Sequence, residues 1–164
     1  MKLGIMSDSH GRTQRVLSAL EVLDAAGAEA IVHCGDIGGP DMLDEFAGRK
    51  CWFVWGNTDF PQAAWRPQVE ALGLPWPEGP IELTLSGRRI AVYHGHEPGF
   101  QGAIHCGKFD YLLHGHSHRQ ADYRSGRTRV INPGALHRVG LPTVAVLDID
   151  SDDLTVLAVE TSAI

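Results

Sequence analysis

Tyr111-Leu112-Leu113-His114-Gly115-His116-Ser117-His118 is a short apolar run that ends in a cluster of imidazoles. Read as a buried strand and its carboxyl end, it carries chemistry at its exit. In an extended segment, residues two apart point to the same side, so His116 and His118 are expected to present their nitrogens to one point. Imidazole is the commonest side-chain metal ligand. A pair of solvated loop histidines would look the same, and one pair decides nothing. The decision comes from the other apolar runs, which end in the same way.

Lys2-Leu3-Gly4-Ile5-Met6 ends in Ser7-Asp8-Ser9-His10-Gly11, where Asp8 and His10 repeat the spacing of two. Asp8 or Ser9 could equally cap the helix that follows. That helix is expected over 13–26, from the stripe Val16, Leu17, Leu20, Val22 and Leu23, closed by Gly27. Ala30-Ile31-Val32-His33-Cys34 is a second strand ending at Gly35-Asp36, followed by a short helix over about 41–47. Cys51-Trp52-Phe53-Val54-Trp55 is a third, ending at Gly56-Asn57-Thr58-Asp59. Three strand-to-helix steps indicate a parallel sheet with helical crossovers, in which sites form at the carboxyl ends of the strands. Asp8, Asp36 and Asn57 therefore converge by topology.

Five of the nine prolines fall in 60–80, with Trp65 and Trp76, so a loop carrying one short helix near 68–72 is expected there. So long a loop is usually functional or mobile. Its tryptophans either wall a substrate pocket or pack on the core as a flap. Beyond it, 81–85 and 89–93 flank a Ser-Gly turn, and the second strand ends at His94-Gly95-His96. A helix over about 100–106, the opening strand, a hairpin over 119–131, Asn132-Pro133-Gly134 and a last hairpin over 143–160 complete the chain. The first half is expected to supply a parallel sheet and the second a largely antiparallel one. Two sheets face to face, with helices outside, is the economical α/β architecture.

Composition bounds the rest. A chain of 164 residues, 43% hydrophobic, is long enough for one sizeable core, and one domain over 1–164 is expected. A formal charge of −6 argues against holding long nucleic acid through a basic surface. Cys34, Cys51 and Cys106 form no C-x-x-C pair, and no leader-like stretch precedes the first strand, so a reducing, cytoplasmic setting is expected. No apolar run approaches the roughly 20 residues of a membrane span. Six of the nine histidines lie between 94 and 118, the one compositional anomaly.

The strand ends deliver Asp8, His10, Asp36, Asn57, His94, His116 and His118, with His96 and His114 nearby. Two carboxylates, an amide oxygen and four imidazoles suit two metal ions better than one. Mixed oxygen and nitrogen donors fit manganese first, and also iron, zinc or nickel, with positions open to water. Two divalent ions bring a charge of about +4; two carboxylates and a bridging hydroxide leave about +1, which draws in an anionic phosphate. A third carboxylate in place of Asn57 would cancel that excess.

The series Asp8-x-His10, Gly35-Asp36, Gly56-Asn57, His94-Gly95-His96 and Gly115-His116-Ser117-His118 resembles the five-block signature of the calcineurin-like metallophosphoesterases, above all their small single-domain phosphodiesterase branch in bacteria and archaea. Asn132-Pro133-Gly134 is similar to a further loop of that branch. The resemblance implies a four-layer αββα sandwich with two facing mixed β-sheets. It implies one ion on Asp8, His10, Asp36 and His118, and another on Asp36, Asn57, His94 and His116, with Asp36 bridging. His96 would contact phosphate or support a ligand. His33 and His114 are expected to be satisfied core histidines.

The implied activity is hydrolysis of a small phosphodiester by attack of a metal-bridging hydroxide, with Asn57, His96 and Asp59 beside the reacting phosphate. Many members carry a histidine directly after the asparagine as proton donor to the leaving group, but here that position is Thr58. Diesters with good leaving groups are therefore expected over simple alkyl monoesters. Asp59 could orient His10 or a water, or be a plain turn residue. Arg119, Arg124, Arg127, Arg129 and Arg138 could guide an anionic substrate, although alternating arginines on a hairpin are ordinarily solvated. Exposed edge strands and the Trp-bearing loop could support a homo-oligomer. The same fold also serves, in a retromer subunit, as a protein-binding scaffold with weakened catalysis, so fold alone assigns no chemistry. The retained ligand set separates the two readings.

Overall fold

Side-chain alternation along the strands sets the layers. In the computed structural model, which describes residues 1–160, β1 (Lys2–Met6) turns Leu3 and Ile5 to one face and Met6 to the other. β9 (Thr143–Asp148) splits in the same way, with Ala145 and Leu147 on one side and Val144 and Val146 on the other. The first set meets Ile90, Val92, Tyr111, Leu113 and Ile131 of a second sheet, which fills the space between the two sheets. The other set packs under α1 (Thr13–Ala25), through Val16, Leu20 and Leu23. On the far side Ala91, Leu112 and Val130 pack against Ala103 and Ile104 of α3 (Phe100–His105). Strands apolar on both faces require this four-layer αββα arrangement.

One sheet runs β10 (Asp153–Ala158), β9, β1, β2 (Ala30–His33), β3 (Cys51–Phe53). The other runs β4 (Ile81–Leu85), β5 (Arg88–Val92), β6 (Tyr111–Leu113), β8 (Thr128–Asn132), β7 (Ala121–Ser125). The division into one parallel and one antiparallel half does not hold. β1, β2 and β3 are parallel, but β9 joins β1 antiparallel and β10 extends that edge. In the second sheet β5, β6 and β8 are parallel, with antiparallel strands at the edges. The reason lies in β9: Thr143 to Leu147 are all buried, so it needs a central position beside β1. Between β3 and β4, a 3-10 turn at Ala63–Trp65 runs into α2 (Arg66–Ala71), slightly ahead of the expected helix. A 3-10 segment, Pro40–Phe46, takes the place expected of the helix after β2.

The hairpin arginines tie elements together. Arg127 bonds Asp110 at 2.7 Å, Arg129 grips Asp122 at 2.8 Å and Asp152 at 2.9 Å, and Arg124 also reaches Asp152. Arg124 and Arg129 hold the β7–β8 hairpin to the β9–β10 turn and Arg127 ties it to the start of β6, so these three are committed to carboxylates; among the described residues Arg119 and Arg138 make no ion pair, and Arg138 is near enough to His10 to lower its pKa.

His33 is a satisfied core histidine, as expected. The Gly35 N–H donates to its Nδ1 at 3.2 Å, so Nε2 carries the proton and donates to Ser9 Oγ at 2.8 Å; the Ser9 hydroxyl passes on to the Ile37 carbonyl at 3.0 Å. Burial pushes the imidazole pKa down to about 3. The unfolded chain, with a histidine near 6.5, therefore takes up the proton first. Stability from the neutral ring is present above pH 6.5 and is lost as pH falls toward 3, costing about 2 kcal/mol at pH 5 relative to pH 8. Thermal melts of metal-free protein from pH 8 to pH 5 should show this slope, and His33→Gln should make it shallower, leaving the share of the other lowered histidines, His10, His114 and His137. Parallel pH profiles for the two proteins would refute the assignment.

Candidate metal centre

The loops after β1, β2, β3, β5 and β6 meet at one end of the sandwich. The backbone there is held in an unusual state: Asp8, His10, Asp36, His116 and His118 all have positive φ, between 45° and 71°. L-residues rarely adopt this left-handed conformation, and where they do it tends to mark a functional site. His116 and His118 are therefore not on an extended segment sharing one direction. The positive φ at each turns the two rings apart. His116 Nδ1 comes to 3.0 Å from Asn57 Oδ1, and His118 Nε2 comes to 3.2 Å from Asp8 Oδ1.

Two groups result. In the first, ligand atoms of Asp8, His10, Asp36 and His118 all lie within 4.8 Å of one another. Asp8 Oδ1 and His10 Nε2 are buried and have no hydrogen-bond partner. In the second, Asn57 Oδ1 lies 3.0 Å from both His94 Nε2 and His116 Nδ1. Asp36 Oδ2 stands between the groups, 3.5 Å from His10 Nε2 and 3.3 Å from His94 Nε2. Its other oxygen accepts the Thr58 N–H at 2.9 Å, fixing the carboxylate.

These donors need a cation. Among the described residues, Asp8 and Asp36 have only histidines within ion-pair distance, and both are buried. His94 Nδ1 lies 2.7 Å from the Cys34 carbonyl, which requires the proton on that nitrogen. Nε2 is then a lone pair facing the oxygens of Asn57 and Asp36. Converging lone pairs repel unless a positive charge sits among them, so the residues fit a divalent metal.

Without an ion, protons take over part of that role at Asp8 and at His94. Burial pushes the Asp8 carboxyl up, against the Ser7 hydroxyl and the nearby His94 and His118. At Asp36 burial also acts upward, but the His94 ring and the Thr58 N–H outweigh it and hold the carboxylate ionised well below its usual range. Burial lowers His10, keeping it neutral and able to ligate. At His94 burial acts downward, yet Asp36 and the Cys34 carbonyl raise the ring overall.

Other expected residues separate. His96 is on the rim, its ring 5.4 Å from that of His94 and 6.3 Å from that of His116. Asp59 does not point at a reacting group: it accepts the N–H of Ile37 at 3.0 Å, Gly38 at 3.0 Å and Gly56 at 2.9 Å, which spends both oxygens on joining the β2 and β3 loops. His114 is buried beneath Phe100, but its Nε2 lacks a partner, so the expectation of a satisfied core histidine fails there. The Pro/Trp loop lines a cleft of about 500 Å³ beside His96, walled by Trp76 and by Trp55. Trp65 is not on that wall; it packs against Trp55, ring centroids 6.1 Å apart.

Three supporting residues carried no sequence signal of their own. Ser7 donates to Asp8 Oδ2 at 2.7 Å, Glu97 accepts the His94 and Gly95 N–H groups at 2.8 Å, and the His137 ring lies 5.6 Å from that of His10. Cys34, Cys51 and Cys106 are free thiols. Among the described residues, no helix is long and apolar enough to cross a membrane.

Known proteins share this architecture and sequence. Phosphodiesterase MJ0936 of Methanocaldococcus jannaschii is 26% identical over 168 residues, covering 98% of this chain and all of that protein. The solved structure of an archaeal phosphodiesterase superposes with a TM-score of 0.86 at 24% identity, covering 96% of this chain and 99% of the other. Vps29 of Entamoeba histolytica, solved with zinc, has the same fold, with a TM-score of 0.69 at 18% identity over 96% of this chain and 91% of its own. The family model of the calcineurin-like phosphoesterase superfamily domain matches residues 1–152, so this chain belongs to the calcineurin-like phosphoesterase superfamily.

Proposed function

We propose that the protein is a dinuclear metal-dependent phosphodiesterase acting on small phosphodiesters. The observation that carries this reading is Asp36 Oδ2, set between His10 Nε2 and His94 Nε2 and belonging equally to both donor groups. Asp8, His10, Asp36 and His118 would hold one ion, and Asp36, Asn57, His94 and His116 the other. Manganese suits these oxygen and nitrogen donors, as do iron, zinc and nickel. When bound, such ions polarise the phosphoryl oxygens and make water a nucleophile near neutral pH.

The chain's own residues do the rest. Asn57 contributes a neutral oxygen, so the donor set leaves net positive charge for an anionic ester. Ser7 and the His116 N–H, at 3.1 Å, fix Asp8 Oδ2 and leave Oδ1 free. Thr58 supplies no acid to the leaving group; its backbone N–H is committed to Asp36. His96, at the rim beside His94 and His116, would contact the phosphate or support a ligand. With no histidine directly after Asn57, the usual proton donor to the leaving group is absent, which favours diesters with acidic leaving alcohols.

The scaffold alternative shares the fold but has no need for seven ligand residues, of which none is apolar here. Metal-stripped protein should be inert, and added manganese should restore hydrolysis of an activated aryl diester at a kcat/KM at least about 10²-fold above that for an alkyl monoester, the lower end of what one positioned acid supplies. Two bound ions with no turnover on any ester would establish the scaffold instead. A higher kcat/KM on the alkyl monoester would refute the diester preference.

A further inference from the structure

The cleft beside the metal centre has a composition of its own. Trp55 and Trp76 meet edge to face, ring centroids 5.4 Å apart at 62°. Pro61, Pro77 and Pro80 complete an apolar wall, and His96 closes the end toward the ligands. Gly56, also on its surface, immediately precedes Asn57. The cleft thus lies beside the Asn57, His94 and His116 group, with Gly56 and His96 as the lining residues next to it. Phe60, between lining residues Asp59 and Pro61, is 77% exposed, an aromatic left in water at the rim.

Its charges are spoken for. Arg66 is held by Glu70 at 2.8 Å and Glu78 at 2.7 Å. Asp59 and Glu97 are occupied by backbone N–H groups. No unpaired arginine or lysine lines the cleft to hold a second phosphate. With three carboxylates, Asp59, Glu78 and Glu97, against the single Arg66 on its lining, the cleft disfavours a second phosphate, and aromatic walls with fixed prolines favour a flat ring. About 500 Å³ falls in the ordinary range for one small-molecule group. A net charge of −6 offers no track for a longer strand.

Building on the phosphodiesterase reading, we infer that this cleft seats the nucleobase of a small nucleotide diester while the metal centre holds its phosphate, with Trp76 as the stacking wall. Trp65 supports Trp55 from behind and does not meet the ligand. Base specificity is modest, because stacking accepts every base through its π-face.

The test is calorimetric titration of the manganese-loaded protein with adenosine 5′-monophosphate and with ribose 5-phosphate, which share phosphate and sugar and differ by the base. The nucleotide should bind about 10-fold or more tightly, the scale of one base stacked on an aromatic side chain. Trp76→Ala should bring the two to near parity by weakening only the nucleotide, and Trp76→Phe should keep the preference, which rules out simple loss of fold. Equal affinities in the wild type, or an equal loss for both probes in Trp76→Ala, overturns the cleft assignment and leaves diester hydrolysis standing. A base preference in a protein that hydrolyses no diester overturns the enzymatic reading instead.

Discussion

Asp36→Asn should abolish metal-dependent diester hydrolysis, lowering kcat/KM by on the order of 10³-fold or more, the rate equivalent of losing several kcal/mol of metal-derived stabilisation. The substitution is nearly isosteric, so the change is one of charge and donor chemistry. Among the described residues, Asp36 Oδ2 is the one oxygen within 3.5 Å of an imidazole from each donor group. An amide there offers a single neutral oxygen, and its NH₂ would turn two hydrogens toward ring nitrogens that must stay free to ligate. Oδ1 matters too, because it accepts the Thr58 N–H that steadies the β3 loop. The same variant should lose most of the rise in melting temperature that manganese gives the wild type, since a ligand stabilises only in proportion to its affinity for the folded state. Turnover within 10-fold of wild type would remove Asp36 from the bridging position.

Much of this site could be read from letters alone. Apolar runs ending in Asp, Asn or His locate the carboxyl ends of strands, and a parallel β-α-β arrangement gathers those ends. Asp8, His10, Asp36, Asn57, His94, His116 and His118 do come together. For two of them the spacing of two gives the wrong direction, although the family resemblance already assigns them to different ions. His116 and His118 were expected to share a direction because they are two apart, but left-handed backbone at each sends them to different groups. Periodicity cannot reveal this, since φ at a loop residue is imposed by tertiary contacts.

Asp59 shows a related blindness. A carboxylate two residues from Asn57 looks catalytic, yet its oxygens meet three backbone N–H groups from loops distant in sequence. The second half of the fold was obscured for another reason: nothing local says which sheet a hairpin joins. Only the unbroken burial of Thr143–Leu147 marks β9 as a central strand. Among the tryptophans, the proline-rich loop points to Trp65 and Trp76, yet Trp76 shares the cleft wall with Trp55, which sits at the end of an apolar strand, and Trp65 is not on it.

Gly56→Ala should cost about a tenth as much rate as removing the bridging carboxylate, and for a reason invisible in any ligand list. A Cβ at position 56 would fall 2.1 Å from Asp36 Oδ1 and 2.3 Å from the Asp36 backbone nitrogen. A side-chain rotation could relieve the first clash but not the second, so the β2 and β3 loops must part by about 1 Å, a displacement that costs a site on the order of 10²-fold in rate. Overpacking should also destabilise the fold by about 1–3 kcal/mol. Gly102 is the control. Nothing lies within 4 Å of a Cβ there, and it is exposed on α3, so Gly102→Ala should gain about 0.5–1 kcal/mol and leave activity unchanged. Thermal melts with diester kinetics and manganese titration read both effects. The essential contrast is that Gly56→Ala must lose metal affinity along with rate, because Asp36 is the residue displaced. A Gly56→Ala protein with wild-type manganese affinity would mean that the two loops are not packed as closely as these contacts require, and the bridging geometry built on them would fall.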